Sequence, residues 1–294
     1  VLEISKDYPI MYHNAVYQGV LYLQKYPRIK TFVIGLSGGI DSAVSALLAR
    51  RVCDSMGKQV KLIGVSIPIE SNKPDEVKRA KMIGNSICDV FIEKNLTTLW
   101  RTISYEIKTS TDEEEFQRNV RLGNSKARLR MMYLYNLAQA NQGLVLSTDN
   151  LTEYYLGFWT LHGDVGDFCF IQNLWKSEVY GLANWILESF PTFPLEGMRE
   201  CYDAVPTDGL GVSESDLHQL VPHLTIETVK KKDKSPFYRE LYTYVDRLII
   251  KYLNDEAEGF FDYASQVSII DRIRNTQYKR ENPYNVPREK LFAK

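Results

Sequence analysis

No apolar run in this chain approaches the ~20 residues that a membrane span needs. A bilayer-embedded protein is therefore not expected. Cysteine is scarce and scattered: Cys53, Cys88, Cys169 and Cys201, with no Cys-x-x-Cys. That usage suits free thiols in a reducing compartment and argues against a disulfide framework. The four histidines do not pair with cysteines at ligand spacing, so no zinc site is expected. Charge is nearly balanced, at a formal −1, which gives no basic field to attract nucleic acid. The opening stretch is polar and tyrosine-rich and lacks the apolar segment of a secretory leader. A cytoplasmic protein is the expectation. Its 294 residues, 44% of them hydrophobic, are enough for a substantial core.

What is present begins at Phe32-Val33-Ile34, an apolar run that reads as a buried strand. It breaks into Ser37-Gly38-Gly39, and a helix-forming run from Ala43 to Arg50 follows. Strand, glycine-rich turn and helix N-terminus make a phosphate-binding arrangement. Yet the turn has no lysine and is too short for a Walker loop, and it is not Gly-x-Gly-x-x-Gly. Instead an acid, Asp41, stands beside the proposed anion. A helix end holds an anion by only about 0.3–2 kcal/mol. A polyphosphate facing Asp41 therefore calls for a cation between them, most simply Mg²⁺. For Gly-Gly alone, an ordinary βα turn is the plainer reading. The whole string Ser-Gly-Gly-Ile-Asp-Ser resembles the pyrophosphate loop of the ATP pyrophosphatase (PP-loop) superfamily, whose members cleave ATP to AMP and pyrophosphate.

Apolar periodicity and turn residues predict a helix over 10–26 and strands at 31–36, 60–67, 90–92 and 144–146. Between them lie helices at about 42–55, 74–87 and 96–107. A capping box at Thr111 opens a further helix that Gly123-Asn124 interrupts, and a longer one runs over about 124–140. Residues 176–190 follow as a helix, then helices near 214–220, 237–253 and 261–275. Strands alternating with helices predict an α/β, doubly wound parallel sheet with a helical C-terminal portion. One domain over 1–294 is expected, with a core at about 28–190 and a helical extension at about 191–294. The ligand should lie at the carboxyl ends of the strands. Lys230 to Lys234 is the one charge run and reads as a solvated loop.

Three further stretches bear on the substrate. In Gly123 to Met131, Asn124 and Arg128 are four apart on a helix, and such a pair can read a phosphate or carboxylate. From charge alone, a solvent-facing basic helix is the plainer reading. In Ser147 to Glu153, Glu153 opens a helix after a core strand. It reads equally as a second metal carboxylate or as an acid satisfying its own helix dipole. Gly157 to Asp167 carries two acids in a glycine-rich turn, and Lys176 opens the next helix, which reads as a loop placing charges. His162 beside aromatics reads as a packing residue more than as a base.

Taken in order, the four stretches resemble the ammonia-dependent NAD synthetase family. That family carries the Ser-Gly-Gly-x-Asp-Ser loop, a Gly-Asn-x-x-Ala-Arg-x-Arg-Met helix, a Thr-x-x-x-x-Glu turn, a Tyr-Gly-Asp loop and a Lys-x-Glu-Val helix. The resemblance spans about 31–182, with an echo at Pro206-Thr207 and Tyr278-Lys279-Arg280. It implies an adenine nucleotide alpha hydrolase-like fold. It also implies that Gly35, Leu36, Ser37, Gly38, Gly39, Ile40, Asp41 and Ser42 cradle the ATP phosphates. Thr148, Lys176 and Thr207 would contact ATP, and Asp41 and Glu153 would hold Mg²⁺. Asn124, Arg128, Asp164, Asp167 and Lys279 would bind deamido-NAD. Asp164 is the expected acceptor of the ammonium proton.

The chain also departs from the family pattern. Leu161 and His162 stand where the family has Lys-Tyr, and Tyr278 stands where many members have His. The stretch Asp208 to Leu220 is a candidate lid, and residues 221–270 match nothing in the pattern. The implied reaction amidates deamido-NAD with ammonia through an acyl-adenylate. No amidotransferase half is expected, so ammonia arrives free or from another protein. A homodimer is implied by the resemblance alone. The rival readings are a GMP-synthetase-like amide former, a tRNA-modifying enzyme on the same fold, and a non-catalytic nucleotide sensor. The near-neutral charge and unpaired cysteines weigh against the tRNA reading.

Overall fold

The structure is a computed structural model. It describes residues 2–287 apart from 58, 71, 109–111, 192–194, 208–214, 222–234 and 256–262. The Lys230–Lys234 run, Thr111 and most of the candidate lid lie outside the described residues.

The elements in chain order are α1 (Tyr8–Lys25), β1 (Thr31–Gly35), α2 (Ile40–Ser55), β2 (Lys61–Ser66), α3 (Pro74–Ile87), β3 (Val90–Glu93), α4 (Thr97–Glu106), α5 (Glu115–Ala140) and β4 (Gly143–Ser147). They continue with α6 (Leu151–Leu156), β5 (Phe168–Cys169), α7 (Lys176–Ser189), α8 (Glu196–Asp203), α9 (Asp216–Leu220), α10 (Ser235–Leu253), α11 (Tyr263–Asn275) and α12 (Gln277–Arg280). The five strands pair in the order β3-β2-β1-β4-β5, and every pairing is parallel. The order reverses between β1 and β4. The chain leaves these two neighbouring strands in opposite directions, which opens a crevice at their carboxyl ends.

The central strands β1, β2 and β4 are apolar on both faces because helices cover both, whereas the outer strands β3 and β5 are only partly buried or exposed. Phe32 and Ile34 point into a cluster with residues of α2, α7 and α8, among them Leu47, Leu182 and Met198. The same cluster takes in Leu217, Val245, Ile249 and Ile269 from beyond residue 191. Val33, Ile63, Val65 and Val145 face the other way, onto Trp100 of α4 and Leu129, Met131 and Leu134 of α5.

Two expectations need correction. Gly123-Asn124 does not break a helix: α5 runs unbroken from Glu115 to Ala140. A helical glycine costs about 1 kcal/mol, less than the packed face of Ala127, Met131, Leu134 and Ala138 returns. The helix begins at Glu115, with Glu113 paired to Arg121 rather than serving a capping box. The sequence reading also omits β5, α8 and α12, which are short; β5 is two residues long.

Candidate active site

β1 ends at Gly35, and Leu36 extends the ladder by donating its N–H to Val65 O at 2.8 Å. Gly38 then takes φ +80°, and a Cβ there would lie 2.2 Å from Glu76 O of α3. No other residue fits this turn, which brings the loop backbone against a neighbouring helix. The turn is tied internally: Gly39 N donates to Ser37 Oγ at 3.2 Å and Ser42 Oγ donates to Gly39 O at 3.0 Å. Arg79 of α3 donates to Gly38 O at 2.8 Å. The first N–H groups of α2 have no capping side chain and face the cleft, as an anion site requires.

This loop floors a cleft of about 400 Å³. Gly35 to Asp41, Thr148, Glu153, Lys176 and Thr207 all line it, as do Asn124 and Asp164. Asp41 and Glu153 meet there through Lys176. The Lys176 ammonium donates to Asp41 Oδ2 and lies 3.3 Å from Glu153 Oε1. Asn150 donates from Nδ2 to Asp41 Oδ1 at 3.0 Å. Asn150 is also the N-cap of α6, in a reciprocal box with Glu153. Glu153 thus caps its helix, as one of its two readings has it, and at the same time lines the cleft.

Burial alone would lower the Lys176 pKa, but the charges of Asp41 and Glu153 raise it well above the ordinary lysine range. Burial pushes Glu153 up to about 7 against the pull of Lys176. Burial pushes Asp164 up to about 6, opposed by the Thr160 N–H, which donates to it at 2.6 Å. Asp149, half-buried and lining the same cleft, is raised well above its usual value by desolvation and by the charges of Asp164 and Glu153.

A second recess of about 610 Å³ adjoins the first, and Met131, Asp149, Trp159 and Lys279 line both. Arg128 and His162 face this outer recess. Asn124 and Arg128 are thus divided by α5: Asn124 accepts a hydrogen bond from Thr160 Oγ1 at 2.6 Å inside, while Arg128 is exposed and donates to Leu161 O at 3.2 Å. Lys279 donates to Gly157 O at 2.6 Å and to Trp159 O. Asp167 lines neither space. It accepts from Tyr135 Oη at 2.8 Å and from Val145 N at 3.0 Å, so it orients a wall residue of the outer recess.

Three cleft residues escaped the sequence reading. Arg130 is half-buried and donates to Ile67 O and to Asn72 Oδ1, both at 3.0 Å. It lies in the same helical motif as Arg128, so the motif carried the signal. Asp149 lies inside the Ser147 to Glu153 stretch, beside Thr148, while Arg79 carries no comparable signal, because only the packing of α3 against the loop brings it in.

An all-parallel, doubly wound sheet with a lysine-free phosphate loop at its switch point defines an α/β nucleotide-binding enzyme of the PP-loop type. The chain belongs to the NAD synthase family, whose sequence profile matches residues 16–283. It is 34% identical over 209 residues to the NH(3)-dependent NAD(+) synthetase of Methanocaldococcus jannaschii, covering 69% of this chain and 74% of that protein. The enzyme of the same name from Fusobacterium nucleatum is 28% identical over 274 residues, covering 92% and 93%. Two solved structures share the fold. NMN synthetase from Francisella tularensis superposes with a TM-score of 0.72 at 24% identity, covering 97% of this chain and 100% of that one. NH3-dependent NAD synthetase from Campylobacter jejuni gives 0.63 at 20%, covering 96% and 100%.

Proposed function

We propose that this chain is an ammonia-dependent NAD synthetase, a ligase that amidates deamido-NAD with ammonia while ATP is cleaved to AMP and pyrophosphate. The observation that carries this reading is the junction of the two spaces. A phosphate loop with Asp41, Glu153 and Lys176 opens directly onto a recess edged by Arg128 and Lys279, with Asp164 near the junction.

In the first step a carboxylate oxygen of the nicotinate attacks the α-phosphorus of ATP, and the P–O bond to pyrophosphate breaks. The loop N–H groups and the Lys176 ammonium stabilise the charge gathering on the departing pyrophosphate. No lysine of the Walker kind is needed, because the γ-phosphoryl is not transferred. In the second step ammonia attacks the acyl carbon, the adduct loses a proton to solvent, and AMP leaves with the bonding electron pair. A carboxyl held near 6, as Asp164 is, is ionised at neutral pH. It binds the ammonium ion and takes one proton from it, which frees the ammonia that attacks. Lys279 spends two of its three donors on Gly157 O and Trp159 O, which leaves one for the acceptor substrate.

Asp41 and Glu153 suit Mg²⁺: a pair of carboxylates, oxygen donors only, with phosphate oxygens and water to complete the shell. Among the described residues no group of three ligand side chains converges, which also fits an ion held partly by its nucleotide. When bound, Mg²⁺ would neutralise the pyrophosphate charge beside Asp41 and Glu153. We assign Thr148 and Thr207 to ATP, and Asn124, Arg128 and Asp167 to the acceptor, the last through Tyr135. The reading extends to a cytoplasmic homodimer on the strength of the family resemblance.

Isotope transfer tests the chemistry. Deamido-NAD labelled with ¹⁸O in its nicotinate carboxyl should deliver one label to the phosphate of AMP. AMP without label would overturn the acyl-adenylate.

A further inference from the structure

Helix α7 begins at Lys176, so the N–H groups of Lys176 and Ser177 have no partner within the helix. The helix has no capping side chain of its own for them. Both are satisfied from elsewhere. Thr152 Oγ1, on α6, accepts from Lys176 N at 2.8 Å and donates to Asp246 Oδ1 at 2.5 Å. Asp246 Oδ2 accepts from Ser177 N at 2.9 Å. Asp246 sits on α10, 69 residues from Ser177 in sequence, and is fully buried. Tyr242, one turn earlier on the same helix, places its ring 5.4 Å from the Lys176 ammonium.

We propose that Asp246 is a positioning residue for Lys176: through Thr152 and the first turn of α7, it fixes the lysine backbone from which the ammonium reaches Asp41 and Glu153. The carboxylate lies at the positive end of a helix dipole, where negative charge is favoured. It also joins three helices, α6, α7 and α10, at one buried point. Lys176 has four rotatable side-chain bonds, so the position of its ammonium depends on its Cα and on what walls the side chain. Asp246 and Thr152 supply the first, and Tyr242 supplies part of the second. Burial raises the Asp246 carboxyl to about 6, against the bonds from Ser177 and Thr152, which leaves it charged at neutral pH. This gives a role to Asp246, in a region that the family profile covers but to which the sequence motifs assign no function. Asp246 does not line the cleft and touches no substrate; its effect passes through Lys176.

The inference rests on assigning Lys176 to the ATP phosphates. Its test measures AMP formation against ATP and ammonia for Thr152→Val, Asp246→Ala and Lys176→Ala, and for Asp246→Ala combined with Lys176→Ala. Melting temperatures are recorded for each, so that rates are compared on folded protein. Thr152→Val and Asp246→Ala should each lower kcat/KM for ATP by about 10- to 100-fold, the usual effect of losing an outer partner. The KM for ammonia should not move. On the Lys176→Ala background, Asp246→Ala should add no further loss. Equal losses with and without Lys176 would overturn the proposal and leave a general structural role. So would an unchanged kcat/KM in Thr152→Val and Asp246→Ala while Lys176→Ala is impaired. If Lys176→Ala keeps the full rate, the assignment of Lys176 itself fails. Should Asp246→Ala not fold, Thr152→Val gives the same readout, because it removes the central hydroxyl with little change of shape.

Discussion

Lys176 and Asp41 are joined across 135 residues of chain: the ammonium at the start of α7 donates to the carboxylate of the phosphate loop. The same ammonium lies 3.3 Å from Glu153. Asp41 and Glu153, the two carboxylates expected to hold Mg²⁺, thus both contact a side-chain cation. On the proposed function, bound Mg-ATP would offer the lysine phosphate oxygens as new partners and leave the two carboxylates free to hold the metal.

Asp41→Asn removes the negative charge at the loop and keeps its shape. Lys176 retains Glu153, so the protein should remain folded, with an ordinary cooperative thermal transition. AMP formation should fall at least about 100-fold, as for loss of an electrostatic group at the reacting phosphates. A wild-type rate would remove Asp41 from the mechanism.

Gly38→Ala tests the loop geometry. The new Cβ meets Glu76 O at 2.2 Å in a backbone conformation that alanine disfavours. Strain of about 1–3 kcal/mol must be relieved by moving the loop. The KM for ATP should rise about tenfold or more, while the KM for the nicotinate substrate changes little. An unaltered ATP KM would mean that this turn does not set the phosphate site.

Glu153→Gln separates two tasks of one side chain. Glutamine preserves the capping box, so α6 should persist. In the wild type, a carboxyl raised to about 7 keeps its proton after the unfolded chain has lost it. Folding then takes up a proton, and stability falls as pH rises from the unfolded value, about 4.3, to about 7. The wild type minus variant difference in melting temperature should decline across pH 5 to 7 in the absence of nucleotide. A rising difference would mean that the Glu153 pKa is depressed.

Arg128→Ala probes the outer recess. The side chain is exposed and holds one loop carbonyl, so stability should change by less than about 1 kcal/mol. The KM for deamido-NAD should rise about tenfold, and the KM for ATP should stay within about twofold. Parallel rises in both would place Arg128 outside the acceptor site.

Four of the five strands were legible because they read as short apolar runs between clear helices; β5, two residues long, was not. The phosphate loop was legible because its glycines and its acid are consecutive in sequence. Arg79 and Asp246 were not, since each acts where separate elements pack and has no local pattern around it. Asn124 and Arg128 show the limit of helical spacing. Four residues apart places them on one side of α5, but two recesses border that side and each residue enters a different one. Gly123 was misread for a related reason: a glycine weakens an isolated helix, yet a helix packed along its whole length tolerates it.

The most direct test of the central claim supplies purified protein with Mg-ATP, ammonium chloride and deamido-NAD, and measures NAD and AMP. A parallel reaction offers the nicotinate mononucleotide in place of the dinucleotide. The account predicts NAD and AMP in equal amounts, dependent on all three substrates, with the dinucleotide the better acceptor. No AMP, or AMP formed equally well without deamido-NAD, would contradict it.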